Sequence, residues 1–202
     1  MRAFLSLRRI RLFFQKEILV LPSRTIAFFF SLALLLLPLM TRDPYLLRII
    51  IFSSIFAIFA ASWDLLSGFT GQMNFGHALF FGVAAYTSAL LNLRLGFPPW
   101  LTIPLGAFMA VIAGLVVGIP CLRLRGPYLA LATLAFPIIL MGIVFTIPEI
   151  TGGELGVSGI KPLASSRITT YYVCVILMLG LGLLMWKIGD SKTGIIFHAI
   201  RE

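Results

Sequence analysis

Four side chains able to ionise or hydrogen-bond, Asp64, Gln72, Asn74 and His77, crowd together in the otherwise apolar stretch SWDLLSGFTGQMNFGHALFFGVAAYTSALL, Ser62 to Leu91. Gly68, Gly71 and Gly76 lie among them. An ionised Asp at the centre of a membrane helix costs about 2.5–3.5 kcal/mol, so such groups usually face a protein interior or a water-filled path. The glycines permit a break in the helix. Backbone groups freed by a break at membrane depth must line a cavity or find partners in protein. That makes the stretch a candidate lining for a solute path. A second reading is a plain cytoplasmic turn over residues 67–76, with Asp64 and His77 in the interfacial zone, where polar groups cost far less. Residue types and spacing leave both readings open.

Other chemistry has no constellation to stand on. Neither His77 nor His198 has a Cys or His partner at a metal-ligand spacing, so no metal and no cofactor is expected. The chain has no GxxxxGK(S/T) phosphate loop, GxSxG or HExxH motif, and it reads as a non-enzyme. Cys121 and Cys174 each sit inside an apolar block and read as packing residues.

The elements that must position the polar stretch are membrane helices. Of the 202 residues, 60% are hydrophobic and 11% charged, and the mean hydropathy is +1.06. A soluble domain is typically about 45–50% apolar and about 25% charged. The apolar residues come in long blocks, which points to lipid as the solvent. Candidate spans are residues 26–40, 49–66, 77–93, 99–122, 128–148 and 171–186. The fold expected is therefore all-α, a polytopic transmembrane helix bundle of about six spans with a glycine-broken segment near residues 67–77. A basic segment, residues 1–25, precedes it, the membrane domain covers 26–186, and a short basic segment, 187–202, follows. No small-x-small cleavage pattern follows the first block, which reads as an uncleaved span.

The net charge is +9 and the pI about 10.3. The positive residues fall in the connections between apolar blocks, which membrane topology explains and nucleic-acid binding does not. With both termini cytoplasmic, eleven of the sixteen Lys and Arg fall on inner segments, among them Arg123, Arg125, Lys187 and Lys192. Arg42, Arg48, Arg94, Lys161 and Arg167 fall outside. Residues 149–170 then form the longest external loop. In the 99–122 block, Gly106, Ala110, Gly114 and Gly118 recur every fourth residue, a strip suited to close helix packing.

Three segments together resemble the permease family of branched-chain amino-acid ABC importers, specifically the M-type of its two paired permease subunits. They are GFTGQMNFGHALFFGVAAYTSALL at 68–91, LRLRGPYLALATLAF at 122–136, and TGGELGVSGI at 151–160, followed after another span by SKTGIIFHAIRE at 191–202. The sequence has Met73-Asn74 where the family commonly has Leu-Ser, and Pro127 where an acidic residue is common.

The resemblance implies a multi-pass subunit of the bacterial inner membrane, embedded in lipid. It would be paired with a second permease subunit, fed by an extracytoplasmic substrate-binding protein and driven by cytoplasmic ATP-binding subunits. The usual cargo is leucine, isoleucine or valine; relatives move urea, short amides or other amino acids. On this footing Asp64, Gly68, Gly71, Gln72, Asn74, Gly76, His77 and Tyr86 would line part of the translocation path. Lys192, Thr193, Gly194, His198 and Arg201 would begin the ATPase-coupling segment. In the family that segment leads into further spans, so an end at Glu202 is expected to mark a truncated or partial permease. Asp190 and Ser191 could cap a helix beginning near Lys192. The alternative function is an ion-coupled secondary carrier or channel for a small solute, for which membrane Asp and His are typical.

Overall fold

Proline sets where several helices begin. Its missing N–H costs nothing in the first turn and its fixed φ suits a helix start. The structure, a computed structural model, describes residues 22–121, 123–124 and 126–201. The basic segment expected at 1–25 therefore lies almost wholly outside the described residues. Helices run α1 Pro22–Met40, α2 Pro44–Trp63, α3 His77–Leu95, α4 Pro99–Cys121, α5 Pro127–Thr146, the short α6 Pro148–Thr151, α7 Arg167–Gly189 and α8 Lys192–Arg201. A wide, π-type turn, Asp64–Gly68, continues α2, and a 3₁₀ turn, Gly153–Leu155, follows α6.

The protein is an all-α, polytopic helix bundle. Among the described residues, five stretches are long and apolar enough to cross a bilayer: Pro44–Gly68, His77–Leu95, Pro99–Cys121, Pro127–Thr146 and Arg167–Gly189. The first expected span corresponds to a shorter apolar helix, Thr25–Met40. Two spans differ by several residues from the sequence expectation. The second span starts at Pro44 rather than residue 49, so Arg48 is an exposed residue of the helix itself. A long cationic side chain can lay its stem along a helix and reach the interface with its head. The last span is likewise longer, and takes in Arg167 and Lys187 at its ends. At most 17% of any span is buried by the rest of the chain. The outward apolar surface, Phe52, Phe56, Phe108, Val116 and Ile138 among it, suits lipid or neighbouring apolar helices.

The chain divides into two compact units. One comprises Met1–Ile55 and Ser166–Leu181. Its core is Leu47, Tyr171 and Val175, with Leu34, Leu37, Ile50 and Ile51 packed around them. Pro38 sits inside α1 and has no N–H to give the carbonyl of Leu34, four residues earlier. Tyr171 supplies the missing donor: its Oη donates to Leu34 O at 2.6 Å.

The other unit comprises Phe56–Ser165 and Gly182–Glu202. Leu79, Val117 and Cys121 form its core, with Phe80, Leu129 and Phe136 against them. Helices α3 and α4 touch closely at Gly106, where an added Cβ would stand 2.5 Å from Ala84 O. Ser88 Oγ donates to Thr102 Oγ1 at 2.9 Å beside it. Further along the glycine strip, Gly114 faces Phe80, and Gly118 has no neighbour within 4 Å of such a Cβ. The 149–170 loop is tied to the α3–α4 corner by buried Asn92. Its Nδ2 donates to Phe97 O and its Oδ1 accepts Lys161 N–H, both at 2.8 Å. Lys161 Nζ also donates to Gly96 O at 3.2 Å.

Candidate solute path at a broken helix

The expected break is present. After the wide turn the helix resumes briefly, then stops at Gly71, whose φ of 69° is a backbone setting that glycine adopts without strain. Residues 71–75 run without helical structure before α3 starts at His77. A break leaves N–H and C=O groups without helical partners, and each buried one has to be satisfied. Side chains do this here. Thr70 Oγ1 donates to Leu66 O at 2.5 Å and accepts Gln72 N–H at 3.4 Å. Ser67 Oγ accepts Asn74 N–H at 3.4 Å, and Trp63 Nε1 donates to Asn74 O at 2.8 Å. Asn74 Oδ1 accepts Gly76 N–H at 2.8 Å, closing a tight turn onto α3.

One residue of α5 anchors the segment. Thr133 Oγ1 accepts Phe75 N–H at 3.1 Å and directs its own hydrogen to Leu129 O or Ala130 O, at 2.9 and 3.0 Å. The carbonyl of Thr133 is released from the helix ladder because Pro137, four residues on, has no N–H. Gly76 comes up against this carbonyl: a Cβ at 76 would lie 3.0 Å from Thr133 O and 3.1 Å from Asn74 Oδ1. Glycine at 76 is thus a requirement of close approach.

His77 closes the other side. Ser62 Oγ lies 2.8 Å from both Phe59 O and His77 Nε2. A hydroxyl has one hydrogen, so when Ser62 donates it to Phe59 O, Nε2 carries the ring proton and donates to Ser62. Nδ1 is then an acceptor, and it has no hydrogen-bond partner among the described residues. The imidazole packs edge-on against Phe59 at 4.7 Å and Phe80 at 6.1 Å between ring centroids. These contacts make His77 a brace between the end of α2 and the start of α3.

Beside the broken segment lies a cleft of about 270 Å³. Gln72, Asn74 and Thr133 give it polar groups, and Leu66, Phe80 and Val117 give it apolar walls. Gly118 and Cys121 of α4 also border it, and no charged side chain lines it among the described residues. Asn74 uses its Oδ1 internally and keeps its amide hydrogens, and Gln72 is exposed. The cleft can therefore offer neutral donors and acceptors to a solute that also has an apolar part.

The sequence-derived residues are distributed unevenly about this cleft. Gln72 and Asn74 line it, Gly71 and Gly76 shape the segment, and His77 braces it. Asp64 is exposed on the wide turn; its carboxylate folds over Gly68, where a Cβ would collide with Asp64 Oδ1. Tyr86 is nine residues beyond His77 on α3, about 13 Å along the helix axis, and is not brought to the break. Of the coupling residues, Lys192 and Thr193 are exposed at the start of α8 and Gly194 is buried, while the side chains of His198 and Arg201 lie outside the described ones. The helix starts at Lys192 as expected, with Ser191 Oγ accepting Thr193 N–H at 3.2 Å. Ser62, Trp63, Ser67, Thr70 and Thr133 are members of the site that sequence reasoning did not single out.

The sequence model of the family described as "Branched-chain amino acid transport system / permease component" matches residues 45–202, the break and the cleft included. Similar proteins include the high-affinity branched-chain amino acid transport system permease protein LivM of Escherichia coli strain K12, 40% identical over 109 residues. The LivM protein of Salmonella typhimurium strain LT2 is 39% identical over 109 residues. Each match covers 54% of this chain and 26% of the relative, so the similarity spans about a quarter of the relatives' length. No solved structure matches.

Proposed function

The chain belongs to the branched-chain amino acid transport permease family, and on that premise we propose that it is a permease subunit of an ABC importer for branched-chain or other neutral amino acids. It resides in the bacterial inner membrane with both termini cytoplasmic. It pairs with a second permease subunit, receives solute from an extracytoplasmic substrate-binding protein and is driven by cytoplasmic ATP-binding subunits that engage the segment starting at Lys192. The segment around residues 71–76 forms part of the solute path. Movement between outward and inward access follows from partners that bind the two states unequally.

The observation that carries this reading is the cleft at a helix break inside the family-matched region, whose described lining residues are all uncharged. A zwitterion has no net charge, so the cleft need not supply a formal counter-charge, and its apolar walls suit an aliphatic side chain. Irregular backbone at membrane depth is tolerated where it lines such a cavity. The test is uptake of labelled leucine, isoleucine and valine by cells lacking the gene, with and without the gene restored in full. Restored, ATP-dependent uptake is expected. Restored wild-type, Asn74→Leu and Gln72→Ala genes are compared next, at matched membrane levels. Unchanged uptake in both variants removes the cleft from the path, and dependence on a proton gradient instead of ATP overturns the importer assignment. The neutral lining also accommodates urea or a short amide, so labelled urea belongs in the same assay.

A further inference from the structure

Where α7 turns into α8, two close contacts line up with the broken helix. The backbone of Gly189 carries the ring of Phe69: an added Cβ at 189 would stand 2.8 Å from Phe69 Cζ and 3.0 Å from Cε1. Gly194 of α8 is buried, and a Cβ there would collide with the carbonyl oxygen of Gly189. Between them the corner is tightly tied. Asp190 N–H reaches Trp186 O at 3.0 Å, and Ser191 N–H reaches Ile188 O at 3.1 Å. Ser191 Oγ donates to Ile188 O at 2.6 Å while capping Thr193 N–H. At its other end Phe69 adjoins Thr70, which holds Leu66 O and Gln72 N–H, and Gly71, where the helix breaks.

We propose that Phe69 is a positioning residue: its ring, seated on Gly189, transmits displacement of the α7–α8 corner to the broken segment and so sets how far the cleft is open. Packed interiors have low compressibility and pass on strain. A shift of α8 therefore moves Gly189 through Gly194. The ring resting on Gly189 follows, and the Thr70–Asn74 backbone forming one side of the cleft follows the ring. The part this plays in transport rests on the path reading above; the mechanical link itself does not.

Cys121 borders the cleft and is buried, so it serves as a native reporter of cleft opening. The measurement is the rate at which a small maleimide modifies Cys121 in membranes containing the full chain with Cys174→Ser. Gly189→Val should raise that rate by about threefold or more, because modification follows the population of the opened state. Phe69→Ala makes room for the new side chain, so the Phe69→Ala/Gly189→Val pair should return to within about twofold of Phe69→Ala alone. Wild-type reactivity in Gly189→Val at normal membrane levels overturns the link, as does a double variant that stays as fast as Gly189→Val. Should the valine variant fail to reach the membrane, Gly189→Ala is read against the same two criteria. If the Cys121 pattern holds while the unaltered protein supports no uptake, the link stands and the path reading fails.

Discussion

Thr133 shows how much one hydroxyl can do at this site. Its oxygen receives Phe75 N–H from the broken segment while its hydrogen serves the carbonyls of its own helix. Replacing it with valine keeps the shape and removes both functions. An unpaired buried donor costs about 1–3 kcal/mol, and for a chain of this size each kcal/mol shifts the midpoint by about 2–4 °C. Thr133→Val is therefore expected to lower the apparent thermal midpoint in detergent by about 4–8 °C, whereas Thr133→Ser, which keeps the hydroxyl, should stay within about 2 °C. Equal midpoints for the two variants would mean that the hydroxyl does not anchor the segment. Thr133 also explains what sequence reading missed. A Ser or Thr in an apolar helix ordinarily returns its hydrogen to a carbonyl one turn back, as Ser31 and Ser54 do at 2.7 Å. Nothing local distinguishes Thr133 from those; its second role depends on Phe75, 58 residues away. Gly71, Gln72, Asn74 and His77 were legible because polar and glycine residues between apolar blocks carry a cost that demands a reason. Asp64 was legible as costly; the structure places it exposed on the wide turn, its carboxylate over Gly68 and outside the lining of the cleft.

At the scale of elements, a second proline repeats the logic of Pro137. Pro38 frees Leu34 O, and Tyr171 on α7 answers it. The pairing gives a prediction with an internal control. Tyr171→Phe keeps the ring in the core and strands the carbonyl, at about 1–3 kcal/mol. Pro38→Ala returns an N–H to the ladder, so the loss from Tyr171→Phe should shrink to below about 1 kcal/mol in a Pro38→Ala background. The readout is the same thermal midpoint across the four-member cycle, and additive effects would sink the proposed compensation. The helices themselves were readable from the apolar blocks, because lipid admits little else for a spanning segment. Their ends were less so. Arg48 suggested a start at residue 49, but a long cationic side chain is tolerated inside a helix near the interface, and Pro44 is the physical start. The wide turn at Asp64–Gly68 left no periodic signature, since a single i→i+5 turn changes the register of only a few residues.

For the molecule as a whole, what the helices cannot fix by packing is which way they face across the membrane, and charge has to decide it. Positive residues hold back on the cytoplasmic side during insertion, so the excess of Lys and Arg in the proposed inner segments favours termini inside. The residues that would report on this are already placed by the fold. Leu155 is 96% exposed in the turn after α6, and Arg123 is exposed between α4 and α5. A helix of twenty residues, α5, separates the two connections, and at about 1.5 Å per residue it reaches across the ~30 Å of hydrocarbon. A crossing by α5 places the two connections on opposite sides. With Cys121→Ser and Cys174→Ser removing the native thiols, Leu155→Cys is expected to react with a membrane-impermeant maleimide in intact cells. Arg123→Cys should react only after permeabilisation. The reverse pattern would invert the proposed orientation, and with it the assignment of the α8 segment to the side where ATP-binding partners reside. Labelling of both sites in intact cells would be the more damaging result, because it would show that α5 does not cross the bilayer.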